Sequence, residues 1–235
     1  MLNSLSTNYN RRNKNVRLYE LANIYLPKSL PLTELPDERM QFTLGFYGDG
    51  DFFDMKGVIE EFFEKTGMNL KPHYDPKAGK TFLHPGRQAD IIYDGVNIGY
   101  LGEVHPEVAD NYKIGDRAYV AVIDMPSMIP FTSFDRKYTG IAKYPAVTRD
   151  ISMVVPKNIL VGQIEEVIEQ RGGKILESYE LFDIYEGAQI LAGFKSVAYS
   201  ITFRAADHTL EEQEVSGVMK KILNGLQALG IELRA

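Results

Sequence analysis

An acidic and an aromatic residue in the second half of the chain have the chemistry needed to bind a nucleobase. In the string LFDIYEG, Asp183 and Tyr185 alternate with Phe182 and Ile184, so on a strand the carboxylate and the phenol ring share one face. A tyrosine ring gives a base a surface to stack on, and a carboxylate gives two acceptors that suit the N1–H and N2–H₂ edge of guanine. These residues predict a surface that binds single-stranded RNA.

Two serines are predicted to join this surface from neighbouring strands. The run from 194 to 204 alternates between small or polar residues, Ser196 among them, and the apolar residues Val197, Tyr199, Ile201 and Phe203. Ser152 is likewise out of phase with its apolar neighbours Ile151 and Met153. A period of two indicates one buried and one open sheet face, and the serines fall on the open one. The alternative is a solvated face that binds nothing.

Other strings that suggest chemistry are better explained as structure. Gly79–Thr81 reads GKT, but a P-loop would need glycine where Tyr74 stands and a helix where FLHPG follows. The four histidines, His73, His84, His105 and His208, lack the spacing of metal ligands, and no G-x-S-x-G elbow supports a Ser-His-Asp triad. The aspartates of DGDFFD are expected to cap the helix that follows them. We therefore predict no catalytic residue and no metal ligand.

The elements that position these residues follow a β-α-β-β-α-β order across 139–235. Strands are predicted at 148–155, 174–185, 194–205 and in the final IELR, with a helix at 161–170 and a second one around Val215–Leu229. Thr209 and Glu212 have the spacing of a capping box for the second helix. This order is typical of the ferredoxin-like fold, in which strands one and three are neighbours and both helices pack on one face.

Residues 1–138 are predicted to form an antiparallel sheet with flanking helices. Asp94-Gly95 is a strong hairpin signal, and Met55, Val58, Ile59, Phe62 and Phe63 form one helical stripe that ends at Gly67. A short helix is expected from Pro106 and a strand at Tyr119–Asp124. The first 15 residues read as a polar lead-in, which suggests that the chain begins inside a domain, and residues 126–140 read as a linker.

Composition restricts the function classes. The 235 residues are 44% hydrophobic and 25% charged, without cysteine, which excludes disulfides and is compatible with the cytoplasm. No apolar run approaches the roughly 20 residues that span a bilayer. The net charge is −6, and residues 139–235 hold 10 Lys and Arg against 13 Asp and Glu, so RNA binding would depend on local contacts.

At this point the strings resemble a known family over essentially the whole chain. YPAVTRDISMVV, LFDIYEG, GFKSVAYSITFRAADHTLEEQEV and LGIELR are similar to the ferredoxin-fold anticodon-binding domain that ends the β subunit of bacterial phenylalanine–tRNA ligase. NRRNKNVRLYELANIY and HPGRQADIIYDGVNIGYLGEVHPEV are similar to the preceding module, which is like a class II synthetase core. The α+β fold implied is an antiparallel class II synthetase-like sheet followed by a ferredoxin-like domain.

The resemblance implies an α₂β₂ cytoplasmic enzyme that joins phenylalanine to its tRNA with ATP and Mg²⁺. Catalysis would belong to the α subunit, and residues 1–138 would be an incomplete, non-catalytic scaffold that binds no cofactor itself; they contain no G-x-G-x-G-x-x-R string. In residues 139–235, Tyr185 would stack on the first anticodon base, a guanine, while Asp183 and Ser196 hydrogen-bond there and Ser152 contacts the RNA nearby.

Two alternatives remain open from the sequence. The chain could be a stand-alone class II-type ligase with an accessory C-terminal domain, although the missing glycine-arginine motif disfavours this. It could also be a regulatory module, since ferredoxin-like domains bind small metabolites such as amino acids. Fold analogy alone does not separate these functions.

Overall fold

The computed structural model describes residues 1–135, 138, 140–187 and 189–234. The chain forms two compact units, Met1–Lys137 and Tyr138–Ala235. None of the helices in the described residues is both long and apolar enough to cross a lipid bilayer.

The first unit is built on a six-stranded sheet in which every neighbouring pair is antiparallel, as predicted. Its strands are β1 (Val16–Leu26), β2 (Asp37–Tyr47), β3 (His73–Asp75), β4 (Leu83–Tyr93), β5 (Val96–Val104) and β6 (Ala118–Asp124), in the spatial order β1-β2-β6-β5-β4-β3. The hairpin between β4 and β5 turns at Asp94 and Gly95, which both have positive φ angles, 47° and 78°. These are the angles that a tight two-residue turn requires, so the hairpin prediction is confirmed.

Helix α2 (Phe52–Lys65) covers one face of this sheet and begins as predicted at the aspartates. The Asp51 side chain accepts hydrogen bonds from the backbone N–H groups of Phe53 (2.7 Å) and Asp54 (3.2 Å), which satisfies donors that the first helical turn leaves free. The buried stripe is narrower than the predicted one: Met55, Ile59 and Phe63 are buried, whereas Val58 is 41% exposed.

Two segments of the first unit differ from expectation. The predicted polar lead-in forms helix α1 (Leu2–Asn10), because Leu5 is fully buried and Met1 packs over Gly45, where a Cβ would lie 2.6 Å from the Met1 side chain. The predicted linker, residues 126–140, begins with ordered structure, because helix α4 (Met125–Met128) and a 3₁₀ turn (Ile129–Phe131) follow β6 directly. Helix α3 (Pro106–Asn111) lies before β6, as predicted. Met128 is buried in the core of this unit. Residues 136, 137 and 139 of the predicted linker lie outside the described residues.

The second unit has the predicted β-α-β-β-α-β order. It contains β7 (Val147–Pro156), α5 (Val161–Gly172), β8 (Leu176–Tyr185), β9 (Phe194–Phe203), α6 (Glu212–Ala228) and β10 (Glu232–Leu233). The sheet order is β10-β7-β9-β8, so the first and third strands are neighbours, as predicted. Residues from both helices, such as Ile164, Ile168 and Ile222, are buried in one cluster with Val197 and Tyr199 of β9.

The start of α6 corrects the predicted capping box. The helix begins at Glu212, not near Thr209, and the backbone N–H of Glu211 donates to Glu214 Oε2 at 2.9 Å. The residues Glu211 and Glu214 therefore take the places predicted for Thr209 and Glu212. Both pairs have the same three-residue spacing, so the sequence pattern alone does not distinguish them.

Candidate nucleic-acid interface

The sheet face of the second unit opposite α5 and α6 is the candidate interface, and we call it the platform. It is formed by alternate residues of three strands: Thr148, Asp150, Ser152 and Val154 of β7, Ser178, Glu180, Asp183 and Tyr185 of β8, and Ser196, Ala198, Ser200 and Thr202 of β9. Directly opposed residues in antiparallel strands point to the same face, so these positions follow from the register.

The four residues predicted from the sequence lie in two adjacent rows of the platform. One row runs Ser152–Ala198–Asp183 across the three strands, and the next runs Val154–Ser196–Tyr185. Strands in a sheet are spaced about 4.8 Å apart, which places the four side chains within the dimensions of one or two nucleotides. The topology thus brings together residues that are up to 44 positions apart in the sequence.

A β-bulge at Phe182 places Asp183 and Tyr185 on the platform. Leu181 opposes Tyr199 on the core face, but Asp183 opposes Ala198 on the platform, so Phe182 is an extra residue between them. Phe182 is 56% exposed. Without the bulge, Leu181 and Asp183 would share a face, and either a leucine would leave the core or the aspartate would enter it.

The ring of Tyr185 is partly exposed and is packed against the backbone that follows β8. The residue is 39% exposed, and a Cβ at Gly187 would lie 2.2 Å from the Tyr185 hydroxyl oxygen. Glycine at 187 is therefore required for this ring position. The backbone of residue 187 supports the ring while leaving part of it available for a stacking partner.

Ser196 has the predicted orientation but not the predicted exposure. It is only 3% exposed, and Arg234, at the end of β10, lies close to it: Arg234 Nη1 donates to Ser196 Oγ at 3.4 Å and Nη2 donates to Gln189 Oε1 at 3.4 Å. The expectation of a wet, uncovered face is therefore wrong at Ser196, and at Ala198, which is also buried. Asp183 is exposed, and Ser152 is half-buried.

Arg234 is a platform residue that the sequence interpretation missed. Its backbone N–H donates to the carbonyl of Ser152 at 2.8 Å, which extends the pairing of β10 with β7 and carries the guanidinium over the platform. The predicted strand IELR contained this arginine, but pattern alone did not show which face it would reach. The signal that could have found it is parity with Glu232, which opposes Val154 on the platform.

The platform is mainly acidic. Exposed carboxylates of Asp150, Glu180 and Asp183 lie on it, and Ser200 Oγ donates to Asp150 Oδ1 at 2.7 Å. A surface of this charge repels phosphates, whereas its carboxylates accept hydrogen bonds from base N–H donors. The arrangement is therefore suited to contacts with base edges and not to contacts with the RNA backbone.

Two of the strings considered for other chemistry have structural explanations. The backbone N–H of Glu107 donates to His105 Nδ1 at 3.3 Å at the start of α3, and the backbone N–H of Lys80 donates to Gln88 Oε1 at 2.8 Å. Strand β4 follows Lys80 where a P-loop would need a helix. Among the described residues, no three His, Asp or Glu side chains are grouped so that they could hold a metal ion.

Comparison with known proteins gives the chain's relatives. Its sequence is 43% identical over its full length to the phenylalanine–tRNA ligase beta subunit of Clostridium acetobutylicum and 40% identical to that of Clostridium tetani. The chain spans only 29% and 30% of the length of these two relatives. A solved pyrrolysyl-tRNA synthetase from Desulfitobacterium hafniense aligns with a TM-score of 0.43 and 11% identity, over 55% of this chain and 45% of that one.

The family profiles cover both units. The profile described as the ferredoxin-fold anticodon binding domain matches residues 142–234, which include the whole platform. The profile described as the phenylalanyl tRNA synthetase beta chain CLM domain matches residues 1–125, which is more than half of the chain. The chain belongs to the family of phenylalanyl tRNA synthetase beta chains.

Proposed function

We propose that residues 139–235 bind the anticodon loop of the phenylalanine tRNA and that residues 1–138 are a non-catalytic, class II synthetase-like scaffold. The observation that carries the proposal is the platform, where a partly exposed tyrosine ring and an exposed carboxylate lie in adjacent rows. The match of residues 142–234 to an anticodon-binding family supports RNA as the ligand.

Each platform residue has a distinct role in this proposal. The Tyr185 ring stacks on the first anticodon base, and the Asp183 carboxylate accepts from the N1–H and N2–H₂ groups of guanine. The Ser152 hydroxyl hydrogen-bonds to a neighbouring nucleotide. Ser196 Oγ contacts the RNA only after the Arg234 side chain moves away, because that side chain lies beside the buried hydroxyl in the free chain.

The wider assignment concerns the enzyme to which this chain contributes. We propose a cytoplasmic α₂β₂ phenylalanine–tRNA ligase in which ATP and Mg²⁺ are bound by the α subunit. Relatives named as beta subunits of this ligase support the assignment. The chain alone is then expected to make no aminoacyl-tRNA when it is mixed with phenylalanine, ATP, Mg²⁺ and tRNA. Charging above background would contradict the placement of catalysis in another subunit.

Stacking is tested by replacing Tyr185 with alanine and titrating the full chain with a fluorescent anticodon stem-loop. We expect Tyr185→Ala to weaken binding by about 1–3 kcal/mol, the usual value for one base stacked on an aromatic ring. The matched control is Phe182→Ala, which removes an exposed aromatic ring from the same strand outside the two rows. Equal affinities for the two variants would refute the stacking role.

The hydrogen-bonding role is tested by base exchange. Asp183→Asn keeps the shape of the side chain but replaces one acceptor oxygen by a donor amide. We expect the unsubstituted chain to favour a stem-loop with guanine at the first anticodon position over one with adenine, and the variant to lose most of that preference. A preference of unchanged size in the variant would show that Asp183 does not contact this base.

A further inference from the structure

The first 19 residues carry a local excess of positive charge in an acidic chain. Arg11, Arg12, Lys14 and Arg17 lie within seven residues, and the first carboxylate along the chain is Glu20. The whole chain has a net charge of −6, so the other 216 residues together have a formal charge of −10. We call residues 11–17 the basic segment.

The backbone holds this segment at the surface in a defined shape. It follows the last turn of α1, where the Asn13 N–H donates to the carbonyl of Asn8 at 3.1 Å. Arg12 and Asn15 have positive φ angles, 62° and 51°, so the chain turns sharply twice between α1 and β1. The hydroxyl of Tyr47 donates to the Asn13 carbonyl at 2.8 Å, which ties the turn to the sheet.

Most cations of the basic segment form no ion pair with the described residues of the chain. Arg11, Arg12 and Lys14 are exposed, and none of them has an ion pair with another described residue. Arg17 is the exception, because its Nη2 donates to the Asp49 carbonyl at 3.0 Å and lies 3.8 Å from the Asp49 carboxylate. Three exposed cations without carboxylate partners in the described residues are free to attract an anion.

A groove beside the segment shows what kind of partner fits. It is open and has a volume of about 400 Å³. Its lining contains two cations, one carboxylate, two asparagines, a glycine and two tyrosines: Arg12, Lys14, Asp116, Asn13, Asn15, Gly48, Tyr9 and Tyr47. Aliphatic side chains are absent from its lining, although protein interfaces have apolar centres depleted in charge. Interfaces with nucleic acid are instead polar, wet and positively charged, and cationic and amide side chains donate to phosphate oxygens.

We propose that the basic segment is a second RNA-binding surface, which contacts backbone phosphates of a base-paired part of the tRNA without reading sequence. The inference rests on the proposed function, because it supplies the attraction that an acidic platform lacks. Phosphate contacts provide affinity and base contacts provide specificity, so the two surfaces would divide these tasks between the two units.

The test compares the affinities of two double variants of the full chain for tRNA and for an RNA duplex of about 16 base pairs without a loop. Arg12→Gln with Lys14→Gln removes two cations from the segment. Lys28→Gln with Lys77→Gln removes two exposed lysines elsewhere in the same unit. Binding is measured at KCl concentrations of about 0.05–0.3 M. Each phosphate contact contributes about 0.9 to the slope of log K against log salt concentration.

We expect the segment variant to lower the salt slope by about 1.8 on both RNAs, which corresponds to about 60-fold weaker binding at 0.1 M salt. The control variant is expected to change the affinity by less than about 2-fold, and Tyr185→Ala is expected to leave duplex binding unchanged. Loss of duplex binding in the segment variant supports the inference even if anticodon discrimination proves absent, so the two proposals fail separately.

Three results would overturn the inference. The first is no duplex binding by the unsubstituted chain at the lowest salt, and the second is an equal slope for the segment and control variants. The third is binding of an acidic peptide, but not of duplex, that the segment variant abolishes, because this would identify a protein partner. If the segment variant has a lowered thermal midpoint but unchanged RNA binding, the inference is also overturned. The cations would then serve to stabilise the end of α1.

Discussion

Removing Arg87 should destabilise the first unit strongly, because its partner Glu103 is buried. Glu103 on β5 is 2% exposed, and Arg87 on β4 donates to both of its carboxylate oxygens, with Nη2 2.9 Å from Oε1. Burial alone would raise the pKa of Glu103, but the hydrogen bond and charge of Arg87 outweigh this effect and hold the pKa below its usual value. In Arg87→Met the carboxylate loses this support and remains buried.

The magnitude follows from the cost of an unpaired buried charge. Breaking a buried ion pair costs about 3–5 kcal/mol, and the nearby charge of Arg117 favours the lower end, about 3 kcal/mol. With a urea dependence of about 2 kcal/mol per M, the midpoint of the first unit should fall by about 1.5 M. The control Lys28→Met breaks an exposed pair with Glu34 and should cost less than about 0.5 kcal/mol.

The pH dependence of the stability loss in Arg87→Met provides a second test. In the unsubstituted chain the lowered pKa of Glu103 contributes stability above the unfolded pKa, which is lost as the pH falls through the folded value. In Arg87→Met burial should raise that pKa, so the deficit should be largest at neutral pH and shrink in acid. Adding Glu103→Gln to Arg87→Met should restore part of the stability at pH 7.

The assay is urea unfolding of the full chain with hydrogen exchange measured on peptides from β4 and β5, which reports on the first unit separately. A midpoint shift for Arg87→Met no larger than that of Lys28→Met would refute the argument. A deficit of constant size from pH 7 to acid would also refute it, since the unpaired carboxylate could then not be the cause.

Two further predictions concern the second unit. Gly217→Ala should raise the stability of this unit by about 0.5–1 kcal/mol, because nothing lies within 4 Å of the new Cβ. Gly225→Ala should lower the thermal midpoint, since its Cβ would lie 2.7 Å from the Val167 side chain of α5. Midpoint shifts in the same direction for the two variants would refute this. The His208 ring donates hydrogen bonds to the carboxylates of Asp207 and Glu214, which raises the pKa of His208. NMR titration should therefore show a pKa above the ordinary one, and Glu214→Gln should lower it. The stability from this pair should be fully present below the unfolded pKa of histidine, as long as the carboxylates stay ionised, and lost as the pH rises through the raised pKa.

Local patterns predicted most of the fold because they reflect backbone constraints that act over a few residues. Val197, Tyr199, Ile201 and Phe203 are all buried, as their alternation predicted. The Asp94-Gly95 turn and the order of elements in the second unit were equally visible in the sequence, since turn angles and strand or helix periods are local properties.

Features that depend on distant contacts could not be predicted in the same way. Helix α1 has only a short apolar stripe, Leu2, Leu5 and Tyr9, of which Leu5 alone is fully buried, in a cluster with distant residues such as Tyr47 and Leu83. The burial of Ser196 depends on Arg234, which is 38 residues away. The bulge at Phe182 is set by the pairing of β8 with β9 and has no signature of its own in the string LFDIYEG.

The bulge also divides β8 into a half that packs against the core and a half that is exposed. Before it, Tyr179 and Leu181 pack against the core of the second unit. After it, Asp183, Ile184 and Tyr185 are all exposed on the outermost strand of the sheet. Substitutions before residue 182 should thus be tolerated only when they conserve volume, whereas substitutions of the exposed residues after it should affect folding little. A single inserted residue lets one strand be part of the core at one end and part of the surface at the other.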